Sequence, residues 1–280
     1  MAVLRKTPFI PALALTLFVL LITAPSASRA QGIDFGGDGP IEVEAEQGIE
    51  WRRDERVVVA RGNARAIRGG DSIAADVLTA YYREVDGRQE IHRLEADGNV
   101  EIASDSTRMY GSHAVYEADS DTVVLTGAPA RIVTPEETVA AEEGIELRNG
   151  ENVAVARGDV QIERGDQRLR ADVVTAHFVE SESGKAEVRE LEAEGNVLLS
   201  TPKEIVRARH ATYDVRTELA TLTGSVKITQ GKNQLNGDVA DVNLATGVSR
   251  LRAAGGAAGG GRVRALLFPE GSGNARNGER

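Results

Sequence analysis

The four histidines are the side chains of this sequence best suited to acid–base or metal chemistry: His92, His113, His177 and His210. Either chemistry requires imidazoles that converge with carboxylates. His113 and His210, however, occupy equivalent positions in two copies of an internal repeat. The same column carries four acidic residues: Asp76, Glu143, Asp172 and Asp238. A polar residue that recurs at one corner of every coil favours a turn role, so we expect no metal site and no histidine catalysis.

No other catalytic pattern stands out. Acidic residues are plentiful, but their spacing singles out no carboxylate pair of the glycosidase type. The sequence has no serine nucleophile elbow, phosphate-binding loop or EF-hand pattern. It has no cysteine, which excludes disulfides, thiolate metal sites and a lipid-modified cysteine. We expect a protein that is not an enzyme and carries no cofactor, and the formal net charge of −10 argues against nucleic-acid binding.

Residues 1–30 have the features of a cleavable secretory signal. Arg5 and Lys6 provide the charged start, residues 9–22 form the apolar stretch, and Ser28-Arg29-Ala30 forms a small-residue cleavage site. The apolar stretch is short for a bilayer span, although an uncleaved anchor is the alternative. Residues 1–30 are therefore predicted to be a signal peptide that directs export.

A duplicated segment dominates the rest of the chain. Residues 48–133 align with residues 144–229 at an offset of 96 to 97 positions. A finer period inside this duplication is marked by glycines: Gly62, Gly98, Gly127, Gly158, Gly195, Gly224 and Gly255. Two large repeats of three small units each produce this spacing. We predict a first repeat region at 40–143, a second at 144–254 that is continuous with it, and a glycine-rich tail at 255–280.

Apolar and polar residues alternate on both sides of these glycines. The positions two and four residues before each glycine are apolar, and valine, isoleucine or leucine follows at the second and fourth positions after most of them. This period of two indicates strands with one apolar face. Pairs such as Gly62-Asn63 favour tight reversals of the chain. We predict an all-β fold in which each unit contains a β-hairpin.

With these features the chain resembles LptA and its OstA-like relatives, the organic solvent tolerance-like N-terminal domain family of lipopolysaccharide (LPS) transport proteins. The resemblance covers residues 40 to about 270. It rests on the opening Pro-Ile-Glu-Val-Glu-Ala at 40–45, the Gly-Asn-Val turns, the Ala-Asp corners, segment 123–127 with its echo at 220–224, and the closing segment 262–269. The repeat region is nearly doubled relative to the familiar short members.

The resemblance implies an open, twisted two-sheet β-roll of antiparallel strands, similar to a β-jellyroll. Roughly twenty strands, ten to each wall at ~4.8 Å spacing, would form a groove on the order of 50 Å long. Small alanines at inward positions are expected to leave space between the walls. Trp51 is expected to cap the first coil rather than to contact ligand.

The resemblance also implies a periplasmic bridge that binds the lipid A acyl chains of LPS in a hydrophobic groove. Its partners would be an inner-membrane LPS-transport subunit, an outer-membrane LPS translocon and further copies of itself, head to tail. The residues expected to line the groove are Val58, Ala60, Leu94, Ala96, Val100, Ile102, Val123, Leu125, Val160, Ile162, Leu191, Val197, Leu199, Leu222, Val226 and Ile228. Arg61 and Arg157 would lie at its rim, near sugars and phosphates.

Two alternatives stay open at this point. The same fold could serve as an OstA-like domain of another LPS-transport component. A closed parallel β-helix that acts on periplasmic polysaccharide would also produce apolar columns, but it would pack them against each other and leave no space for lipid.

Overall fold

The computed structural model describes residues 40–104, 106–127, 129–180, 186–243, 246, 248–253 and 262–268. The predicted signal peptide and most of the glycine-rich tail lie outside these residues. Eighteen β-strands and one 3₁₀ turn make up most of the described chain, which contains no α-helix and hence no helix that could span a membrane. The predicted all-β fold is confirmed.

The strands follow one another along the chain with short connections. The first repeat contains β1 (Glu42–Glu44), β2 (Gly48–Arg52), β3 (Val57–Arg68), β4 (Asp71–Val85), β5 (Arg88–Ser104), β6 (Thr107–Glu117), β7 (Thr122–Thr126), β8 (Ala130–Val133) and β9 (Thr138–Ala141). The second contains β10 (Gly144–Arg148), β11 (Val153–Arg164), β12 (Gln167–Glu180), β13 (Ala186–Ser200), β14 (Ile205–Asp214), β15 (Leu219–Gln230), β16 (Asn233–Asn243), β17 (Val248–Arg252) and β18 (Arg264–Leu266).

All strand pairs in the described residues are antiparallel, and the long strands bend at mid-length. Strand β5 illustrates the bend. Its first half pairs with one half of β4, ending where Asp97 lies opposite Val77, and its second half pairs with the other half of β4, starting where Glu101 lies opposite Ala74. The ladder changes register at the bend, but the neighbouring strand stays the same. Each long strand therefore contributes to two sheets, joined by a β-bulge.

Glycine makes these bends possible. Gly98 has φ +76° and Asn99 has φ +48°, so two successive residues inside β5 are left-handed. The other bends with this conformation lie at Gly62-Asn63, Gly158-Asp159, Gly195-Asn196 and Gly224-Ser225. Glycine adopts positive φ without a steric penalty, and asparagine and aspartate tolerate it better than most residues.

The expectation of hairpin turns at these glycine pairs is wrong. The pairs lie inside continuous strands, and the chain reverses elsewhere, for example at Gly69, Gly165 and Gly231, which also have positive φ. Successive left-handed residues build either a two-residue hairpin turn or a bulge, so residue type alone does not separate the two. What separates them is the pairing, because each of these strands stays paired with the strand that follows it on both sides of the bend.

The bends divide the strands into two walls. Wall A contains segments of β2, β3, β4, β5, β6, β7, β10, β11, β12, β13, β14, β15, β16 and β17, paired in this order. Wall B contains segments of β1, β3, β4, β5, β6, β8, β9, β11, β12, β13, β14, β15, β16 and β18. At ~4.8 Å per segment the roll is on the order of 60 Å long. The expected ten strands per wall is too low, because each bent strand belongs to both walls.

Neither wall is interrupted between the repeats. In wall A, β10 pairs with both β7 and β11, and in wall B, β9 pairs with both β8 and β11. Strands β15 and β16, which occupy the corresponding positions in the second repeat, are each continuous through the bend. Hydrogen bonding therefore runs from β2 to β17 through the junction.

Alanine is concentrated where the walls meet. Ala64, Ala75 and Ala96 flank the bends and are 4% exposed or less, whereas the larger Leu94 and Ile102 lie farther from the bend. Leucine or valine occupies some equivalent positions, such as Leu125 and Val100, so alanine is frequent beside the bends but is not required there. These alanines close the apex of the roll and do not leave the space that was expected between the walls.

Aspartates hold two of the bends in place. Asn99 Nδ2 donates to both carboxylate oxygens of Asp76, at 3.0 and 3.2 Å, and Asn196 Nδ2 donates to Asp172 at 3.0 and 3.1 Å. The carboxylate also packs against the glycine, since a Cβ on Gly98 would lie 2.8 Å from Asp76 Cγ. The bend thus requires glycine both for its positive φ and for its missing side chain.

We predict that Gly98→Ala and Gly195→Ala destabilise the protein more than Gly87→Ala does. Gly87 also has positive φ, +75°, but a Cβ there would meet no atom within 4 Å. The two bend variants should lose about 1–3 kcal/mol of unfolding free energy beyond the loss at Gly87, because they add a clash to the backbone strain. Urea unfolding followed by circular dichroism measures the difference, and equal losses at the three sites would contradict the proposed packing.

Candidate functional site

The inward faces of the two walls form one apolar interior. Thirteen of the sixteen residues predicted to line the groove are buried, and the other three, Val58, Ile162 and Leu191, are half-buried. Fifteen belong to or pack against a single hydrophobic cluster, and Val58 lines a cavity in the same interior. The structure therefore brings these residues together, while their contact with lipid stays a prediction.

The walls contact each other along this interior. Leu125, Val160 and Val226 are 1% exposed or less, so inward side chains of one wall are covered by those of the other. An acyl chain can enter only if the walls separate. In the described residues the ladders connect the walls only through the bent strands, so the side opposite the bends, which we call the open rim, is free to widen without loss of a strand pair.

The interior is exposed to solvent at its N-terminal end. Ile49 and Trp51 of β2 lie opposite Ala60 and Val58 of β3 and therefore face inward, yet each is 51% exposed. An apolar cavity of about 40 Å³ lies in the same first coils. It is lined by Ile41, Val43, Val58, Ala60, Ala66, Leu78, Ala80, Ile91 and Leu94. We call this end of the roll the N-terminal mouth.

Sequence reasoning missed part of the N-terminal mouth. Ile41, Val43 and Ile49 are absent from the predicted groove, because the columns were counted from the glycines and β1 and β2 precede the first of them. Two signals in the sequence could have found these residues. Ile41 and Val43 alternate with Glu42 and Glu44, and Ile49 corresponds to the buried Ile145 in the second repeat.

Trp51 lies at the end of the first coil, as expected, but it is not a buried cap. Its Nε1 donates to the hydroxyl of Tyr82 at 2.9 Å, and the two rings meet edge to face with centroids 6.5 Å apart. The guanidinium of Arg53 lies 4.8 Å from the indole centroid. These contacts hold the ring at the mouth with about half of its surface available.

The histidines do not converge. His113 Nδ1 lies 2.7 Å from Asp97, whereas His210 lies 3.8 Å from Glu194. No group of three or more histidine, aspartate or glutamate side chains in the described residues is arranged to hold a metal ion.

In two strands, the residue that contacts the bend glycine lies one position before the histidine that was expected at this corner. Ser112 and Arg209, rather than His113 and His210, lie against Gly127 and Gly224. Glu143 contacts Gly158 as Asp76 contacts Gly98, so the column is acidic only at some bends.

Arg61 and Arg157 are exposed, but they do not lie at the open rim. Arg61 immediately precedes the bend glycine Gly62, and Arg157 precedes Gly158. Both therefore lie at the closed side of the roll, where the walls are joined. The predicted location of these arginines beside the slit of the groove is wrong.

Two turns on the open rim of wall B share the sequence Thr-Pro-X-Glu. In the turn at 201–204, the Glu204 N–H donates to Thr201 Oγ1 at 3.1 Å, and the turn at 134–137 repeats this bond between Glu137 and Thr134. Glu204 is 2% exposed, and within the part of the chain that the structure describes neither of its carboxylate oxygens has a hydrogen-bond partner. Burial raises the pKa of Glu204 to about 7, and burial likewise raises the pKa of Glu137. The rim thus contains carboxyl groups that are more easily protonated than usual.

Bent antiparallel strands, two facing walls and a continuous apolar interior define a β-roll assembled from repeats. The chain belongs to the LptA/(LptD N-terminal domain) LPS transport protein family, whose model matches residues 42–146 and again 138–248. The predicted family resemblance and repeat are therefore confirmed. The alternative of a closed parallel β-helix is wrong, because the strand pairs of the described residues are antiparallel.

The proteins that are similar to this chain include one from Rhizobium meliloti and one from Pseudomonas aeruginosa. An uncharacterized protein of Rhizobium meliloti (strain 1021) is 24% identical over 152 residues, which is 52% of this chain and 73% of that protein. The crystal structure of LptH, the LptA homologous periplasmic component of the lipopolysaccharide transport device of Pseudomonas aeruginosa, aligns with a TM-score of 0.40 and 20% identity. The alignment covers 48% of this chain and 95% of LptH.

We predict that Glu204→Gln stabilises the protein at pH 8 and has little effect at pH 4. Because the folded-state pKa of about 7 lies above the ordinary value of 4.5, the folded state holds its proton more tightly than the unfolded state. The stability that this proton provides is present below pH 4.5 and is lost as the pH rises through 7. Glutamine should recover on the order of 2 kcal/mol at pH 8.

Chemical unfolding at a series of pH values measures this effect. The control is Glu187→Gln, because Glu187 is exposed on β13. The same pH dependence in wild type and Glu204→Gln would show that Glu204 does not titrate near neutral pH.

Proposed function

We propose that this protein is a periplasmic bridge that binds LPS and carries it from the inner to the outer membrane, with the acyl chains held between walls A and B. The observation that carries the proposal is the apolar interior, which continues through both repeats and is exposed at the N-terminal mouth. Membership in an LPS transport family supports this cargo. The proposed role is binding and transfer, without a chemical step, a cofactor or nucleic acid.

Acyl binding would replace contacts between the walls with contacts to the chain. Each CH₂ that leaves water contributes about 0.8 kcal/mol. The inward side chains of the walls contact apolar groups both before and after an acyl chain binds. Separating the walls therefore offsets little of the free energy gained when the acyl chain leaves water. Strong binding therefore needs continuity of the apolar surface more than specific polar contacts.

The sugars and phosphates of LPS would remain outside the roll. Inward positions next to the bends carry apolar residues, so burial there would leave polar cargo groups without hydrogen-bond partners. Polar side chains begin at the turns of the open rim, for example at Thr134 and Thr201 of wall B. The polar part of the cargo is therefore expected to project through the slit between the rims.

The ends of the roll suit edge-to-edge association. Strands β1 and β2 lie at one end and β17 and β18 at the other, each with one side unpaired in the described residues. In wall A, β17 at the C-terminal end runs toward the bend, and β2 at the N-terminal end runs away from it. In wall B, β18 at the C-terminal end runs away from the bend, and β1 at the N-terminal end runs toward it. The C-terminal end of one copy can therefore add antiparallel to the N-terminal end of the next in both walls at once.

The outward charges of the two ends are complementary. If inward residues stay inward across the new contact, Arg250 of β17 lies beside Glu50 of β2, and Arg264 of β18 lies beside Glu44 of β1. This arrangement favours head-to-tail over head-to-head contacts. We propose that copies of this chain stack in this way and that an inner-membrane LPS-transport subunit and an outer-membrane LPS translocon add to the two free ends.

We predict that a photo-crosslinking residue at Ile49 forms adducts with LPS in cells and that one at Glu50 does not. The two positions are adjacent and both are exposed, but Ile49 faces the interior and Glu50 faces outward. Immunoblotting for LPS after irradiation detects the adducts, with Leu125 as a second inward position and Arg61 as a second outward control. Adducts of equal yield at Ile49 and Glu50, or at Glu50 alone, would contradict binding between the walls.

We predict that charge reversal at one end weakens self-association and that mixing the two reversed proteins restores it. The first variant carries Glu44→Arg and Glu50→Arg, and the second carries Arg250→Glu and Arg264→Glu. Each variant alone opposes like charges, whereas the mixture pairs opposite charges at every contact.

Sedimentation velocity over a range of concentrations measures this association. Glu180→Arg with Glu187→Arg is the control, since both residues are exposed away from the ends. Unchanged association of the single-end variants, or a mixture that stays dissociated, would rule out this stacking register.

A further inference from the structure

The outer face of wall B changes character in the second repeat. From β13 to β18 its outward positions are Leu198, Ser200, Ile205, Arg207, Lys227, Thr229, Gln234, Asn236, Arg264 and Leu266. Three of these are cations and none is a carboxylate, although the chain as a whole carries 43 acidic and 33 basic residues. We call these ten positions the wall B basic face.

The three cations lie in one row across neighbouring strands. Arg207 is opposite Lys227, Lys227 is opposite Asn236, and Asn236 is opposite Arg264. At ~4.8 Å between strands the row spans about 15 Å. Arg207 is exposed between buried Val206 and Ala208, which shows that this row points away from the interior. In the described residues none of the three cations forms an ion pair.

The corresponding surface of the first repeat carries carboxylates as well as cations. Arg108 pairs with Glu101 at 2.8 Å, and the guanidinium of Arg131 lies 5.6 Å from the ring centroid of Tyr110. Glu101 and Arg108 correspond to Leu198 and Ile205 of the second repeat. The second repeat has thus lost the carboxylate and kept cations in this row.

The opposite wall of the same strands is acidic. Glu190, Glu192 and Glu194 of β13 alternate with inward Leu191 and Ala193, so their carboxylates lie on the outer face of wall A. From β13 to β17 the outer face of wall A also carries Asp214 and Asp241 against Arg250 and Arg252, so the C-terminal half of the roll has net negative charge outside wall A and positive charge outside wall B. Such a charge separation orients the protein against a negatively charged surface.

Exposed apolar side chains accompany the cations. Ile205 is 36% exposed and Leu266 is 55% exposed, both in the outward row next to the cations. Phe268, which follows β18, is 50% exposed. Cations beside exposed aliphatic and aromatic side chains are typical of surfaces that lie on a bilayer, because the cations contact anionic headgroups while the apolar groups reach the acyl boundary.

We propose that the wall B basic face docks on the surface of an anionic phospholipid bilayer. The contact lies outside the roll, so it is separate from the cargo site between the walls. Arg207 and Lys227 bind headgroup phosphates, and Ile205 and Leu266 insert beside them.

Co-sedimentation with vesicles tests the proposal. The full protein should bind vesicles of phosphatidylcholine that contain phosphatidylglycerol, bind much less to phosphatidylcholine alone, and lose binding as salt is added. Arg207→Glu with Lys227→Glu should weaken binding at least tenfold, since each cation near an anionic surface is worth roughly a factor of five. Arg61→Glu with Arg157→Glu is the matched control, which reverses two exposed cations at the bends and should leave binding unchanged.

Three outcomes would overturn the proposal. They are absence of binding by the wild-type protein at low salt, an equal loss in the control variant, and displacement by inorganic phosphate at an ionic strength where chloride does not displace. The last result would indicate a site for a single phosphate instead of a membrane surface. Crosslinking of LPS at Ile49 should persist in the Arg207→Glu, Lys227→Glu variant, which separates failure of this proposal from failure of the cargo site.

Discussion

The bend at mid-strand is the constraint on which the rest of the structure depends. In every second long strand two successive left-handed residues, glycine followed in most cases by asparagine or aspartate, bend the strand from one wall into the other while it stays paired with the strand that follows it. A closed barrel would remove every unpaired strand edge. Bending a single open sheet instead leaves edges at both ends and a slit along one side, which are the features that a carrier of long apolar molecules needs.

The same bend determines how the interior is filled. Beside the bends alanine is a frequent inward residue, and larger side chains such as Leu94, Ile102 and Tyr116 lie toward the open rim. Because each coil repeats this taper, adding coils lengthens the interior and leaves its cross-section unchanged. The duplication in this chain adds coils to one pair of walls, with hydrogen bonds continuous through β7, β10 and β11.

Much of this structure could be predicted from the sequence, and the failures share a cause. Alternation around the glycines identified inward residues such as Leu125 and Val160, because burial of one strand face leaves a local period of two. The same glycines did not show whether Gly98-Asn99 forms a hairpin turn or a bend inside one strand. That depends on which strands pair on the two sides of the glycine. The burial of Glu204 could not be predicted from the sequence for a related reason. A carboxyl group in a turn is expected to be exposed from sequence alone, and its burial depends on the folded structure.

Contact between the walls keeps the apolar interior of the roll out of water. An open groove on the order of 60 Å long would be a large exposed hydrophobic surface, which folded proteins avoid unless it is covered. Here the walls cover each other along most of the roll, while Ile49 and Trp51, which face inward at the N-terminal mouth, stay about half exposed. The unpaired backbone of β2 lies at the same place. Addition of another two-walled roll at this end would bury the exposed apolar side chains and pair the free backbone groups of β2 at the same time, so one contact would meet both requirements.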